Sequence, residues 1–463
     1  MNSQTSVFLT NVRKSGQRIS KDGRIQVSRK AWTVRVSAFV AASTMIAFNV
    51  YLGLTLNDVF VVYSTLLPIE SLLYVVIGWL LYRNPARGTV GNDLVTVVVP
   101  IYNQKSVIEI VIDAIFRSTY KNIEIIAVND GSSDGTKEIL DNLVRRYPNL
   151  RVIHKEVNEG KRRAVAAGFY ASKSNYIVLI DSDSIIDEHA IEQVMKTFNA
   201  DTKVGAIVGN AKVWNSEKNI LTRCQDAWYD YSFNIRKATE STFGNVLCCS
   251  GCLAAYRREA IVHYIPYWVK AKLRDSEDRE LTSYVISSSL GKKLMESMAQ
   301  YDDAEDRGLT AQALTDWKSV YVADAVIYTD VPEKLKVFLK QQKRWKKGTT
   351  RVNFFVSAFF WRKHPIMSLI FYMDFMMTFT TPLIIVAVFL YAPLVLQSYL
   401  IPASFIGGSL LASLAHGADY KFRDSTTRNW FYKPLMNLIT SFMISWLIIP
   451  ALLSYRKNEW GTR

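Results

Sequence analysis

The chain has 463 residues, 49% of them hydrophobic, and a formal net charge of +15, a length with room for two or more domains. Its apolar residues gather into runs long enough to cross a bilayer, about 20 residues each, which excludes a wholly soluble protein. Much of the basic excess lies beside those runs, so the charge reads as contact with membrane lipids and not as a nucleic-acid surface.

Residues 1–35 form a basic arm, with Arg13, Lys14, Arg18, Lys21, Arg24, Arg29, Lys30 and Arg35 against the single acid Asp22. Two spans are expected within 36–82, at 36–56 and 59–81. The turn Asn57-Asp58 between them carries no basic residue, whereas Arg83 and Arg87 follow the second. Positive charge marks the cytoplasmic side, so the arm and the polar region from about 90 to 365 are expected there, in a multi-pass cell-membrane protein. The first run is not expected to be a cleaved signal peptide, because a long polar arm precedes it and no small-residue cleavage pattern follows.

From Leu94 the pattern alternates strand and helix. Residues 95–99, 123–128 and 176–180 are apolar strand runs, and 107–116, 136–147 and 161–171 read as helices. This predicts an α/β fold with a mostly parallel sheet and helices on both faces. Ligands in such folds bind at the carboxyl ends of the strands, where the polar motifs of this chain occur. The first strand runs into Pro100-Ile101-Tyr102-Asn103, the second into the loop Asn129 to Thr136, and the third into Asp181-Ser182-Asp183.

Read as the end of a strand, Asp181 and Asp183 share one side, and two hard oxygen ligands suit Mg2+ or Mn2+ held jointly with a diphosphate. Asn158-Glu159-Gly160-Lys161-Arg162 opens a helix with a glycine and two cations, a diphosphate contact. Asp130 is placed to accept from a uracil or ribose donor, and Tyr102 to pack on the base. No P-loop lysine signature or dinucleotide glycine fingerprint is present. Cys224, Cys248, Cys249 and Cys252 read as reduced packing thiols, since Cys249-x-x-Cys252 has no second pair.

Further on, Gln341-Gln342-Lys343-Arg344-Trp345 supplies a guanidinium suited to diphosphate and an indole on which a sugar can stack. Together these motifs resemble glycosyltransferase family 2, inverting enzymes with a GT-A fold, over roughly residues 94 to 348. The resemblance implies that Tyr102, Asp130 and Lys161 bind the uridine diphosphate of a UDP-sugar donor and that Asp183 holds the metal; Asp181, beside it at the strand end, is expected to contact the substrate. It also implies that the box of Gln341, Arg344 and Trp345 binds substrate, with Trp345 as the floor for the growing polysaccharide acceptor. Gln104 departs from the family, where the first loop commonly reads Tyr-Asn-Glu.

The family places its catalytic base in an acidic pair followed by Arg and Leu-Thr at a helix start. This chain has that pattern twice, at Glu277-Asp278-Arg279-Glu280-Leu281-Thr282 and at Glu305-Asp306-Arg307-Gly308-Leu309-Thr310. Asp306 precedes Gln341 by 35 residues and Asp278 by 63. The shorter separation fits one helix (311–317), one strand (320–328) and one helix before the box, so Asp306 is the expected base. The distance from Ser250-Gly251-Cys252 favours Asp278 instead. The alternative for Asp278 is a solvated helix-capping box led by Ser276.

Beyond the catalytic region 90–348, the segment 349–365 is expected to hold an interfacial helix. Two more spans are expected within 366–416, at 366–391 and 394–415. Glu70 and Asp374 are the only acids in the four expected spans. Pro434 and Pro450 bracket the next apolar stretch, so 431–456 is expected to be interfacial or re-entrant. The terminal segment 457–463 carries Trp460-Gly461-Thr462-Arg463.

That ending resembles the hyaluronan synthases, in which the motif reaches the nucleotide diphosphate, and this implies donor contacts for Trp460 and Arg463. Asn210 to Asn215 and Leu253 to Arg257 look like the same family, whereas Cys252 and the Cys248-Cys249 pair look more like chitin-oligosaccharide synthases. The function implied is processive polymerisation of UDP-sugars into a β-linked polysaccharide moved through the protein's own helices. Hyaluronan is the expected product, with chitin or poly-N-acetylglucosamine, or transfer to a lipid carrier, as alternatives.

Overall fold

The computed structural model describes residues 17–55, 57, 65–270, 276–287 and 317–455. They divide into two compact units. One holds Asn84–Trp214 and Glu240–Asp330, the other Lys14–Arg83, Asn215–Thr239 and Val331–Arg463.

The first unit is built on an eight-stranded sheet among the described residues. Its strands are β1 (Val95–Ile101), β2 (Ile123–Asp130), β3 (Leu150–Lys155), β4 (Tyr176–Leu179), β5 (Ile185–Ile186), β6 (Val204–Val213), β7 (Ala254–Arg257) and β8 (Lys318–Thr329), in spatial order β3-β2-β1-β4-β7-β6-β8-β5. β1 runs parallel to both β2 and β4, whereas β7 runs antiparallel to β4 and β6. The helices that concern the site are α1 (Ile108–Phe116), α2 (Thr136–Arg146), α3 (Lys161–Ala171), α4 (Ala190–Ala200) and α5 (Glu277–Ile286).

Every residue of β1 is buried, as a run of β-branched side chains covered on both faces requires. Each of its fully buried valines contributes about 1.5–3 kcal/mol of apolar burial. The β1–β4 ladder stops at Val98 with Leu179. Val98 accepts from the Ile180 amide, so alternate residues of β1 face β4 and Pro100 would be the next to donate there. Proline has no N–H to give. The ladder ends, β1 and β4 diverge, and a crevice opens at the point where the connections leave in opposite directions, the usual ligand position of such sheets.

The second unit is helical. Among the described residues, four of its helices are long and apolar enough to cross a membrane, Arg29–Thr55, Pro365–Leu394, Leu400–Arg423 and Trp430–Leu453, and Pro68–Leu80 is a shorter apolar helix. The first begins at Arg29, so part of the basic arm is helical. Two of the expected segments gain helix bounds here. Within the segment 349–365, residues 349–360 belong to one long helix, Leu335–Phe360, which also carries the Gln341–Trp345 box. The prolines do not break the last apolar stretch. Pro434 lies in the first turn of Lys433–Ile439, where its missing N–H has no helical partner to lose. A wide π-turn at Thr440–Ile444 and a 3-10 turn at Ser445–Leu447 then carry the helix into Ile448–Leu453, which contains Pro450.

Several buried charges in this unit are paired. The Arg423 guanidinium reaches Asp230 at 2.6 Å and Asp419 at 3.2 Å, and Arg35 reaches Asp419 at 2.8 Å. Asp374, one of the two acids noted within the apolar runs, is met by Arg236 at 2.9 Å.

Candidate active site

The crevice beyond β1 and β4 is a cleft whose lining includes Pro100, Lys161, Asp181, Gly251, Tyr256, Trp268 and Asp278. Its floor is set by the turn before α3. Asp130, at the end of β2, accepts from the backbone amides of Glu159 and Gly160 at 3.2 and 2.7 Å. Gly160 has φ +96°, a conformation that disfavours a side chain. That turn starts α3 at Lys161, whose ammonium lies 2.6 Å from Asp181 and 3.8 Å from Asp278. Asp130 therefore shapes the turn with its side chain, in addition to the ligand contact expected of it.

Gly251 explains how these three charges come so close. Its amide donates to Asp278 at 2.8 Å and its carbonyl accepts from the Asp181 amide at 3.0 Å. A Cβ there would stand 2.6 Å from Lys161 Nζ and 3.0 Å from carboxylate oxygens of both aspartates. Gly251→Ala is expected to lower turnover by about 100-fold through displacement of these groups, measured as sugar incorporation at saturating donor. Activity within a few-fold of wild type would show that the three groups need not meet.

α5 is anchored from several sides. Arg162 pairs with Glu280 at 2.7 Å and lies over the Trp268 ring at 5.2 Å. The Trp268 indole donates to the Glu277 carbonyl at 3.0 Å, and Thr282 Oγ1 accepts from the Cys249 amide at 2.8 Å. Asp278 thus sits at a fixed helix start inside the cleft. The capping box proposed for it is absent, since Ser276 makes no side-chain cap bond. Burial pushes its carboxyl up to about 6, opposed chiefly by the Lys161 cation. Lys161 is held well above its ordinary value by Asp181 and then Asp278, which outweigh its own burial.

Asp181 and Asp183 do not lie along one strand face. β4 ends at Leu179, and the Asp181 carbonyl accepts from the Ser184 amide, closing a tight turn. Asp183 sits within it, its carboxylate accepting from Ser184 Oγ at 3.1 Å. Among the described residues no group of three or more His, Cys, Asp or Glu side chains could hold a metal ion. These carboxylates suit a hard divalent ion only if substrate oxygens and water complete its shell, the usual arrangement for Mg2+.

Tyr102 is half-buried just beyond β1. The two loops beside it are laced together, Asn103 accepting from the Ser133 amide and Ser132 Oγ from the Asn103 amide, both at 2.9 Å. Gln341, Arg344 and Trp345 belong to the second unit, on the helix Leu335–Phe360, where Trp345 stacks on Trp228 with centroids 6.1 Å apart. Asp306, Trp460 and Arg463 lie outside the described residues. Trp228 carried no expectation, and Gly251 and Glu280 entered only as members of motifs, without a role of their own. The acid-pair motif repeated at 277–282 was the available signal for Glu280.

Residues 96–265 match the family described as Glycosyl transferase family 2. A hyaluronan synthase of Streptococcus pyogenes serotype M3 is 28% identical over 439 residues, covering 93% of this chain and 97% of its own length. An N-acetylglucosaminyltransferase of Rhizobium meliloti is 31% identical over 264 residues, 56% of each chain. Among solved structures, a mannosyltransferase of Pyrobaculum calidifontis in complex with GDP-Man and Mn2+ aligns with a TM-score of 0.55 at 15% identity, covering 93% of this chain and 100% of that one. At that identity the likeness concerns the fold.

Proposed function

We propose that this chain, a family 2 glycosyltransferase whose GT-A domain is flanked by apolar helices, polymerises UDP-sugars into a β-linked polysaccharide and moves the product across the membrane. Hyaluronan, made from UDP-GlcNAc and UDP-GlcA, is the product we favour. The carrying observation is the node of Lys161, Asp181 and Asp278 around Gly251 at the sheet's switch point. A cation for a diphosphate, carboxylates and an acid poised near neutrality meet there.

In this reading Asp278, as carboxylate, takes the proton from the acceptor hydroxyl. The freed oxygen forms its bond to the anomeric carbon as the bond to the UDP oxygen breaks, which inverts that carbon. Lys161 stabilises the charge that gathers on departing UDP. Mg2+ or Mn2+, held by Asp183 together with the diphosphate, would supply further electrostatic stabilisation of the leaving group. Tyr102 and Asp130 hold the nucleoside end, and Asp181 orients Lys161.

Asp278 takes the place that residue spacing favoured for Asp306. The helix, strand and helix required between base and box follow Asp278 as α5, β8 and Leu335–Phe360. Trp345 serves the acceptor, Gln341 belongs to the same substrate-binding box, and Arg344, Trp460 and Arg463 are assigned to the diphosphate. The catalytic unit faces the cytoplasm in this reading, as the basic arm and Arg83 and Arg87 imply.

Likeness to the Rhizobium meliloti enzyme favours a second product, a polymer of N-acetylglucosamine alone. Membranes carrying the protein, supplied with UDP-GlcNAc with and without UDP-GlcA, separate the two. Polymer that requires both donors and is cut by hyaluronidase supports hyaluronan. Chitinase-sensitive polymer from UDP-GlcNAc alone replaces it with the second reading, and absence of polymer in either case removes the proposal.

A further inference from the structure

Trp345 is one half of a pair. It stacks on Trp228, ring centroids 6.1 Å apart with planes inclined 26°, within the offset range in which aromatic rings attract. Both indoles are half-buried. Trp228 stands on the helix Ile220–Tyr231, which starts with a capping box between Asn219 and Thr222. Three side-chain amides from this stretch hold the chain that leads into the box helix. Asn215 bonds the Val331 carbonyl and amide at 2.8 and 3.0 Å, Gln225 the Pro332 carbonyl at 2.9 Å, and Asn219 the Glu333 carbonyl at 2.9 Å. The helices also share an apolar cluster of Cys224, Phe338 and Met436, against which Trp228 packs. The segment from Asn215 to Tyr231 is thus fastened to the box helix at both backbone and side-chain level.

We infer that Trp228 is a positioning residue for the acceptor. By covering one face of the Trp345 indole, it leaves the other face alone for a pyranose ring and fixes that ring's plane. An indole free to rotate about its side-chain torsions would present either face and lose entropy when a sugar docks. The inference deepens the proposed function and rests on Trp345 meeting the polymer.

The test uses Trp228→Ala, Trp228→Phe and Trp345→Ala in membranes supplied with both UDP-GlcNAc and UDP-GlcA. Product length and donor KM are measured together. Loss of one aromatic pair is expected to shorten the polymer of Trp228→Ala by about three- to tenfold, with donor KM unchanged. Trp228→Phe, which keeps a ring, is expected to restore most of the length. In a Trp345→Ala background, Trp228→Ala is expected to add nothing further, because its effect passes through Trp345. Full-length polymer from Trp228→Ala would overturn the inference and leave the proposed function standing. So would a parallel loss of length and donor affinity, or additive effects in the double variant. Failure of the wild-type protein to make polymer would overturn both.

Discussion

Asp278→Asn is expected to lower polymer synthesis by about 100- to 10,000-fold, the contribution of a positioned general base, with donor binding retained. The asparagine keeps the size of the side chain but takes no proton. Sugar incorporation in membranes measures it, with Asp306→Asn beside it and expected to stay within a few-fold of wild type. The reverse pattern would return the base to Asp306.

The same assignment fixes a pH limb. The carboxyl is pushed up to about 6, first by burial, and Lys161 is the largest influence pulling it down. Only the carboxylate can take the proton, so kcat/KM falls as pH drops through about 6, by about tenfold per unit below it. Lys161→Met removes a cation that favours the carboxylate, so the limb is expected to move to higher pH as the rate falls. A limb that stays in place in Lys161→Met would show that another group titrates.

Arg423→Leu is the largest expected loss of stability. Arg423 is 1% exposed at its side chain, against Asp230 at 8% and Asp419 at 1%. Removing one partner of a buried pair costs about 3–5 kcal/mol, because the remaining charge stays buried without its counterion. Asp419 keeps Arg35 at 2.8 Å, so Asp230 carries most of the penalty. Thermal unfolding of the detergent-purified protein is the measurement. Arg423→Leu combined with Asp230→Leu is expected to recover part of the loss. An unchanged melting temperature in the single variant would contradict the ion-pair account.

The sheet was readable where burial leaves one solution. The apolar runs at 95–99, 123–128 and 176–180 became β1, β2 and β4, and the helix expected at 161–171 is α3 with the same ends. The loops at strand ends were readable for the same reason, because a parallel sheet sends its polar connections to one edge. Docking was harder to read. The two acid-pair motifs match in residue type, and residues 287–317 lie between α5 and β8, so the residue count that favours Asp306 and the element order after Asp278 select different acids. Spacing along a strand likewise misread Asp181 and Asp183, because β4 ends before them and the chain turns. Gly251 carries no side chain to signal a site, and its role exists only where three charged groups converge.

The sheet unit is interrupted in sequence, and this bears on how the protein can be divided for study. A fragment from Asn84 to Asp330 would retain the stretch Asn215–Thr239, which belongs to the helical unit. It would strip that stretch of Val331, Phe338, Met436 and Arg423, leaving Cys224, Asp230 and one face of Trp228 exposed to solvent. Such a fragment is prone to self-association through this surface. A version limited to the sheet unit would instead leave out Asn215–Thr239 and connect Trp214 to Glu240.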